Sequence, residues 1–186
     1  MTTTLFTNAH IATGEPGSTA ASTLPLQDIL VTDGVFTAFG PGLAQQYEAQ
    51  GGDLAAIEVV DLGGKLVCPP FCDTHLHLDY VFTARKPGAV NESGTLFEGI
   101  QRWSETKSDL TVDEIKQRAK IGIKKEMLHG VQLIRSHADV TDPNLTSLKA
   151  LLELKEELKD TVTLQIVSFP QEGMYSYEGP HGESGA

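Results

Sequence analysis

Hydrophobic and polar positions change rhythm along this chain. Residues 4–11, 28–40 and 57–61 are short runs rich in β-branched and aromatic side chains, each bounded by Gly, Pro, Asn or Asp. Such runs read as strands, and Asp33-Gly34 between two of them is a hairpin signal. Residues 14–22 and 45–52 are polar and loop-like, the latter with room for a short helix. A small β-rich domain over residues 1–65 follows. From residue 66 onward the pattern alternates strand, helix, strand, helix, strand, the signature of an α/β fold with a parallel sheet covered by helices. The strands are the apolar run 66–71 leading into the polar segment 73–79, then 131–137 and 162–169. One helix starts near Thr111, where Thr111 and Glu114 form a capping box and Leu110 and Ile115 a hydrophobic staple. Its stripe is Ile115, Ala119, Ile123 and Met127, and Gly130 ends it. A second helix is expected from Asp142, with Pro143 at its first position and Leu145, Leu148, Leu151, Leu152 and Leu158 on its buried side.

Composition narrows the function classes. With 186 residues, 40% hydrophobic, the chain can bury a real core, and its formal net charge of −11 argues against a nucleic-acid partner. No apolar run approaches the roughly 18 residues of a membrane span, and no signal-peptide pattern opens the chain, so a cytoplasmic protein without a membrane partner is expected. Cys68 and Cys72 stand without a framework of other cysteines and are expected as free thiols in buried packing.

The candidate chemistry begins at Asp73-Thr74-His75-Leu76-His77-Leu78-Asp79. Residues two apart on a strand share a face, so His75 and His77 can reach one cation while Leu76 and Leu78 pack away from it. Neutral imidazoles suit one divalent metal ion, Zn2+ or Fe2+, and these two ligands do not distinguish the metals. Further polar groups stand where the later strands end: His137 and Asp139, then Gln171 and Glu172. In a (β/α) barrel all strands are parallel, and their carboxyl ends converge on one active site. His10 has no acidic or His neighbour two away and reads as structural, and His129 reads as a complement to a helix dipole. His181-Gly182-Glu183 matches half of the His-x-Glu…Pro-Cys-x-x-Cys pattern of one zinc deaminase class, but no cysteine follows it, which excludes that class.

With a small β domain ahead of it, the segment from Val67 to Asp79 resembles the start of the barrel in the metal-dependent amidohydrolase superfamily. Residues 91–103 (Asn-Glu-Ser-Gly-Thr-Leu-Phe-Glu-Gly-Ile-Gln-Arg-Trp) and 169–173 (Phe-Pro-Gln-Glu-Gly) are more selective and resemble bacterial-type cytosine deaminase. This resemblance implies the N-terminal part of a (β/α)8 TIM barrel over residues 66–186, preceded by the small β-rich domain. It implies that His75 and His77 bind the metal and that Gln171 hydrogen-bonds a small-molecule pyrimidine, with Leu96 and Phe169 as apolar walls. A carboxamide suits that task because it carries both a donor and an acceptor. The implied chemistry is hydrolytic deamination, in which water activated by a metal displaces an exocyclic ring amine and ammonia leaves.

What the chain lacks is equally specific. A complete barrel needs eight strands and about 250 residues. The later metal-binding His and Asp of the family, and its proton-moving Glu and His, have no counterpart in these residues. The expectation is an N-terminal portion of a cytosine-deaminase-like enzyme, inactive alone, with no catalytic residue of its own. Its partners would be a complementary C-terminal half and, for the full-length form, further copies in a homo-oligomer. Two alternatives stand beside it: another amidohydrolase acting on a related ring amine or triazine, and a non-enzymatic, truncated metal- or partner-binding module.

Overall fold

In the computed structural model, which describes residues 2–12 and 24–173, the chain divides into two units, Met1–Pro69 and Pro70–Ala186. The loop read over residues 14–22, and the tail carrying Glu178, His181 and Glu183, lie outside the described residues.

The first unit is a five-stranded sheet built around β1 (Thr3–Ile11). β2 (Leu26–Thr32) runs antiparallel to β1, and β3 (Val35–Gly40) antiparallel to β2. Asp33 and Gly34 join them with φ of 50° and 78°, the paired positive angles that a tight hairpin turn requires. Helix α1 (Leu43–Ala49) occupies the segment with room for a short helix. Its first amide is held by buried Asp28, whose carboxylate accepts Leu43 N–H at 2.9 Å and Asn8 N–H at 3.1 Å. β4 (Glu58–Asp61) and β5 (Leu66–Val67) pair parallel to β1. Leu66 and Val67 therefore belong to this sheet, and the division between units falls at Pro69 and Pro70 rather than after Lys65. Proline has no N–H for a ladder, so the tandem pair is a natural place for strand pairing to stop.

The second unit holds three parallel strands in the order β6 (Phe71–Leu76), β7 (Val131–Asp139) and β8 (Thr163–Phe169). Between β6 and β7 come α2 (Leu96–Lys107) and α3 (Val112–Leu128), and α4 (Thr146–Glu157) links β7 to β8. One sheet face carries Ile134, Ser136, Ala138 and Leu164, all buried. Ile115, Ala119 and Ile123 of α3 and Ala150, Leu151 and Leu154 of α4 join them in one core with Leu78 and Trp103. Thr111 caps α3 by accepting Glu114 N–H at 3.2 Å, and the staple residues Leu110 and Ile115 are both buried. His129 follows the last turn of α3 and donates from Nδ1 to the Lys125 carbonyl at 2.7 Å, before Gly130 ends the helix at φ 85°. Neither thiol is buried: Cys68 and Cys72 are free and exposed, Cys72 on β6 at the edge of its sheet.

Two features depart from the sequence pattern. Helix α4 begins at Thr146, because Asp142–Leu145 form a turn in which the Asp142 carboxylate accepts the N–H groups of Asn144 (3.0 Å) and Thr146 (2.9 Å). Pro143 lies in that turn. The buried side of α4 is Ser147, Ala150, Leu151 and Leu154, while Leu152 is 47% exposed. Positions 147, 151 and 154 follow the helical period, and 152 falls outside that arc. Helix α2 itself was not anticipated from patterning, although Thr95 and Glu98 carry the same capping signal as Thr111 and Glu114.

Leu154→Ala is expected to destabilise the second unit by about 2–5 kcal/mol and Leu152→Ala by less than about 1 kcal/mol. Urea melts of the two variants check the helix register directly; equal losses would refute it.

Candidate functional site

His75 lies near the end of β6 and His77 just beyond it, on the sheet face opposite Ile134 and Leu164. Their Nε2 atoms face each other at 3.4 Å. His77 Nδ1 lies 3.0 Å from the main-chain oxygen of His137, which can only accept, so Nδ1 carries the proton and Nε2 keeps its lone pair. Donors on a tetrahedral centre with bonds of 2.0–2.1 Å sit about 3.3–3.4 Å apart, so the pair has the spacing that a zinc-like cation needs. The outward hydrogen bond on Nδ1 is also the usual support of a metal-ligating imidazole. The main-chain N–H of His75 donates to Asp73 Oδ1 at 2.9 Å, which fixes the backbone that carries the ring. Among the described residues no group of three or more His, Cys, Asp or Glu is arranged to hold a metal ion.

His137 stacks on His75 with centroids 4.0 Å apart, and its own Nδ1 is buried without a partner among the described residues. Phe169, at the end of β8, presents its ring edge-on to His75, His77 and His137 at 6.5, 5.2 and 5.6 Å. Burial pushes His77 below the ordinary histidine range, and the neighbouring His75 and His137 add to this against the carbonyl bond to His137. His137 is lowered in the same way, by burial first and then by His75. Both shifts favour neutral imidazole near pH 7.

Behind the histidines lies a pair of buried carboxylates. Asp79 accepts the N–H of Asp139 at 2.8 Å and that of Tyr80 at 3.1 Å, and burial pushes its carboxyl up to about 6 despite those bonds. Asp139 Oδ1 accepts Thr141 N–H (2.8 Å) and Oγ1–H (2.6 Å), while Oδ2 accepts Trp103 Nε1–H (2.6 Å) and Lys107 Nζ (3.3 Å). Every carboxylate oxygen there already holds a donor. These acids build the rim of the sheet.

Gln171 and Leu96 line one cavity of about 340 Å³, together with Tyr80, Asn91, Thr95 and Trp103 among others. That is the lower end of the size usual for small-molecule sites. Tyr80 joins the cavity to the histidines, because its ring stacks on His77 at 4.6 Å and tilts against Trp103 at 4.8 Å. The structure thus brings His75, His77 and Phe169 into one cluster and Gln171 and Leu96 into the adjoining cavity; the imidazoles do not line the cavity itself. Leu96 is 73% exposed, which makes it a rim residue rather than a buried wall. Tyr80, Trp103 and Lys107 were not singled out from the sequence. The segment 91–95 is stiffened by Glu98, whose carboxylate accepts the N–H groups of Glu92 (3.1 Å) and Ser93 (2.7 Å).

The model of the amidohydrolase family matches residues 58–185. N-isopropylammelide isopropyl amidohydrolase of Pseudomonas sp. (strain ADP) is 35% identical over 120 residues, covering 62% of this chain and 30% of that protein. Pterin deaminase of Rhizobium rhizogenes is 27% identical over 152 residues, covering 79% of this chain and 32% of that protein. The structure of 5-methylcytosine deaminase from Klebsiella pneumoniae liganded with 5-fluorocytosine superimposes with a TM-score of 0.76 at 39% identity, over 96% of this chain and 38% of that one. The chain therefore spans about a third of the length of these relatives.

The contacts around Glu98 predict a pH effect. Hydrogen bonds from Ser93 and Glu92, aided by Arg102, lower its carboxyl to about 2. A depressed carboxyl stabilises the fold above its unfolded pKa, and that contribution is lost as pH falls through the folded value. The amide signals of Glu92 and Ser93 should accordingly titrate with a midpoint near 2. Glu98→Gln should abolish that transition; its persistence in the variant would remove Glu98 as the cause.

Proposed function

We propose, for a chain that belongs to the amidohydrolase family, that it carries the metal-binding and ring-recognising part of an enzyme that deaminates cytosine to uracil and ammonia. The observation that carries this reading is the His75–His77 pair, 3.4 Å apart with the His77 tautomer set by the His137 carbonyl, beside a cavity that holds a free carboxamide. Members of the family are generally metal-dependent and act on C–N bonds. A bound zinc or ferrous ion would supply a water whose pKa is brought down toward about 7. His75 and His77 would hold it, and the His77 Nδ1–H bond to the His137 carbonyl leaves the His77 Nε2 lone pair available. Gln171 forms no side-chain hydrogen bond among the described residues, so its amide can offer a donor and an acceptor to the mixed edge of a pyrimidine. Tyr80 gives the ring an apolar face to lie against, with Leu96 at the rim; Phe169, expected as a second wall, stands against the histidines and does not line this cavity.

A small-molecule ring amine is the assigned substrate class, and a nucleic-acid or membrane ligand is not. No helix among the described residues is long and apolar enough to cross a membrane. The second reading keeps the reaction and changes the ring: the similarity to an N-isopropylammelide hydrolase and a pterin deaminase favours a related ring amine or triazine. Residues 1–186 by themselves should be inactive: among the described residues the two histidines have no third metal donor beside them, and a pair alone cannot complete the reaction. The groups that finish the site would come from a complementary C-terminal segment or partner.

Calorimetric titration with zinc should show binding by the chain that falls at least about tenfold in both His75→Ala and His77→Ala, the lower end of what loss of even an outer-sphere partner costs. Unchanged affinity in either variant counts against the pair as ligands. Ammonia release from cytosine with added zinc or ferrous iron should be absent for the 186 residues alone. Robust turnover would overturn the incomplete-site reading. A panel of cytosine, 5-methylcytosine, N-isopropylammelide and pterin, assayed on a form that carries the remaining strands, separates the two substrate readings.

A further inference from the structure

Lys107 is the last residue of α2, and its side chain is only 11% exposed. The ammonium reaches three oxygens: Thr141 Oγ1 at 2.6 Å, Glu172 Oε1 at 2.6 Å and Asp139 Oδ2 at 3.3 Å. An ammonium has three N–H donors, so this set uses its capacity in full. Two of the acceptors belong to the buried rim at the end of β7. The third belongs to the turn after β8, in which Glu172 directly follows Gln171.

We propose that Lys107 is the positioning residue of this turn: it ties Glu172 to the Asp139–Thr141 rim and thereby presents the Gln171 carboxamide to the cavity in one orientation. What Gln171 recognises there rests on the reading under Proposed function; the tether itself does not.

Three observations support the assignment. Among the described residues the turn has only short local backbone bonds, Gln171 N–H to the Phe169 carbonyl and Gly173 N–H to the Pro170 carbonyl, both 3.0 Å. The Phe169 carbonyl at its base also accepts Val140 N–H at 3.1 Å, and beyond that base the Lys107–Glu172 contact is the side-chain link, among the described residues, from the turn to a helix. The same helix also shapes the cavity, since Leu96, Gly99, Ile100 and Trp103 line it. Trp103, one turn before Lys107, donates to the same Asp139 oxygen, so the cavity wall and the tether are fixed on one buried atom. Finally, the contact is not an ordinary surface ion pair, whose worth is small because two mobile chains must be ordered in water. Here the Lys107 stem is already packed, the Asp139 carboxylate is 2% exposed, and only Glu172 has to be brought in.

The test is amide exchange on the 15N-labelled chain, comparing the parent with Lys107→Met and Glu172→Gln. Exchange at Gln171 and Gly173 is expected to rise about tenfold in both, the scale of one lost charge-assisted hydrogen bond. The Gln171 side-chain amide signals should collapse toward solvent-exposed values, while amides within β7 keep their parental rates. Glu172→Gln leaves Lys107 on Asp139 and Thr141, and it decides the matter if Lys107→Met fails to fold. Unchanged exchange and shifts at Gln171 and Gly173 in Glu172→Gln would overturn the proposal, as would a loss of protection spread equally over β7. Cytosine titrated onto the parent is scored apart. Absence of any shift at Gln171 there counts against the deamination reading and leaves the tether standing.

Discussion

The second unit depends on two carboxylates that have been taken out of water. An ionised acid in the interior costs several kcal/mol unless its oxygens are filled by donors. Asp79 and Asp139 meet that condition with groups from different elements: the β7 main chain for Asp79, and α2 together with the segment after β7 for Asp139. The cost of burial thus becomes a constraint on geometry. Moving β6, β7 or α2 relative to the others would strand a buried charge, and the ends of all three are pinned at the same rim. Asp79 is only partly compensated, which is why its carboxyl rises to about 6 while it stays in place.

That rim gives the histidines their chemistry. His77 would be ambiguous if free, with either nitrogen able to carry the proton. The His137 carbonyl removes the ambiguity, and it can do so only because β6 and β7 are parallel neighbours with their ends side by side. Burial and mutual proximity then push both His77 and His137 toward the neutral form. A neutral imidazole with a fixed Nε2 lone pair has the free donor atom that metal ligation requires. Phe169 closes one side of the cluster from β8, and Tyr80 passes the cluster on to the cavity.

Much of this was legible in the sequence because it is local. Thr111 and Glu114 announce α3, Asp33-Gly34 announces a hairpin, and His75-Leu76-His77 places two rings on one side of a strand by period alone. The α/β rhythm gave the fold class, and the matches to amidohydrolases agree with a small β domain followed by the first strands of a (β/α)8 barrel. What could not be read is mostly non-local. Nothing near Lys107 in the chain hints that its ammonium meets Glu172, because the two are brought together by contacts of α2 with Asp139 and Thr141 at the end of β7. Leu152 and Leu154 look alike as letters, and only the start of α4 at Thr146 decides which one is buried. The turn over Asp142–Leu145 won over a Pro-started helix because the Asp142 carboxylate offers its own acceptors to the backbone. Helix α2 does carry a local signal, the Thr95 and Glu98 cap, but it lacks the regular apolar stripe of α3 and buries only Trp103.

A strand has a period of two, so the second sheet divides its labour with no slack. On β7, Ile134, Ser136 and Ala138 face the helices, while His137 faces the cluster with His75 and His77. A slip of one residue in the pairing of β6 or β7 would send imidazoles into a core of Leu and Ile and expose the residues that hold that core. The core and the site are therefore selected together. The apolar contacts of Ile115, Leu151 and Leu154 choose the register, and the register places polar groups on the other face at a spacing that suits a cation. By this logic the site needs no separate folding instruction. It is the reverse side of the hydrophobic core, and substitutions that loosen the core from the helix side should blur the His75–His77 geometry without touching either ring.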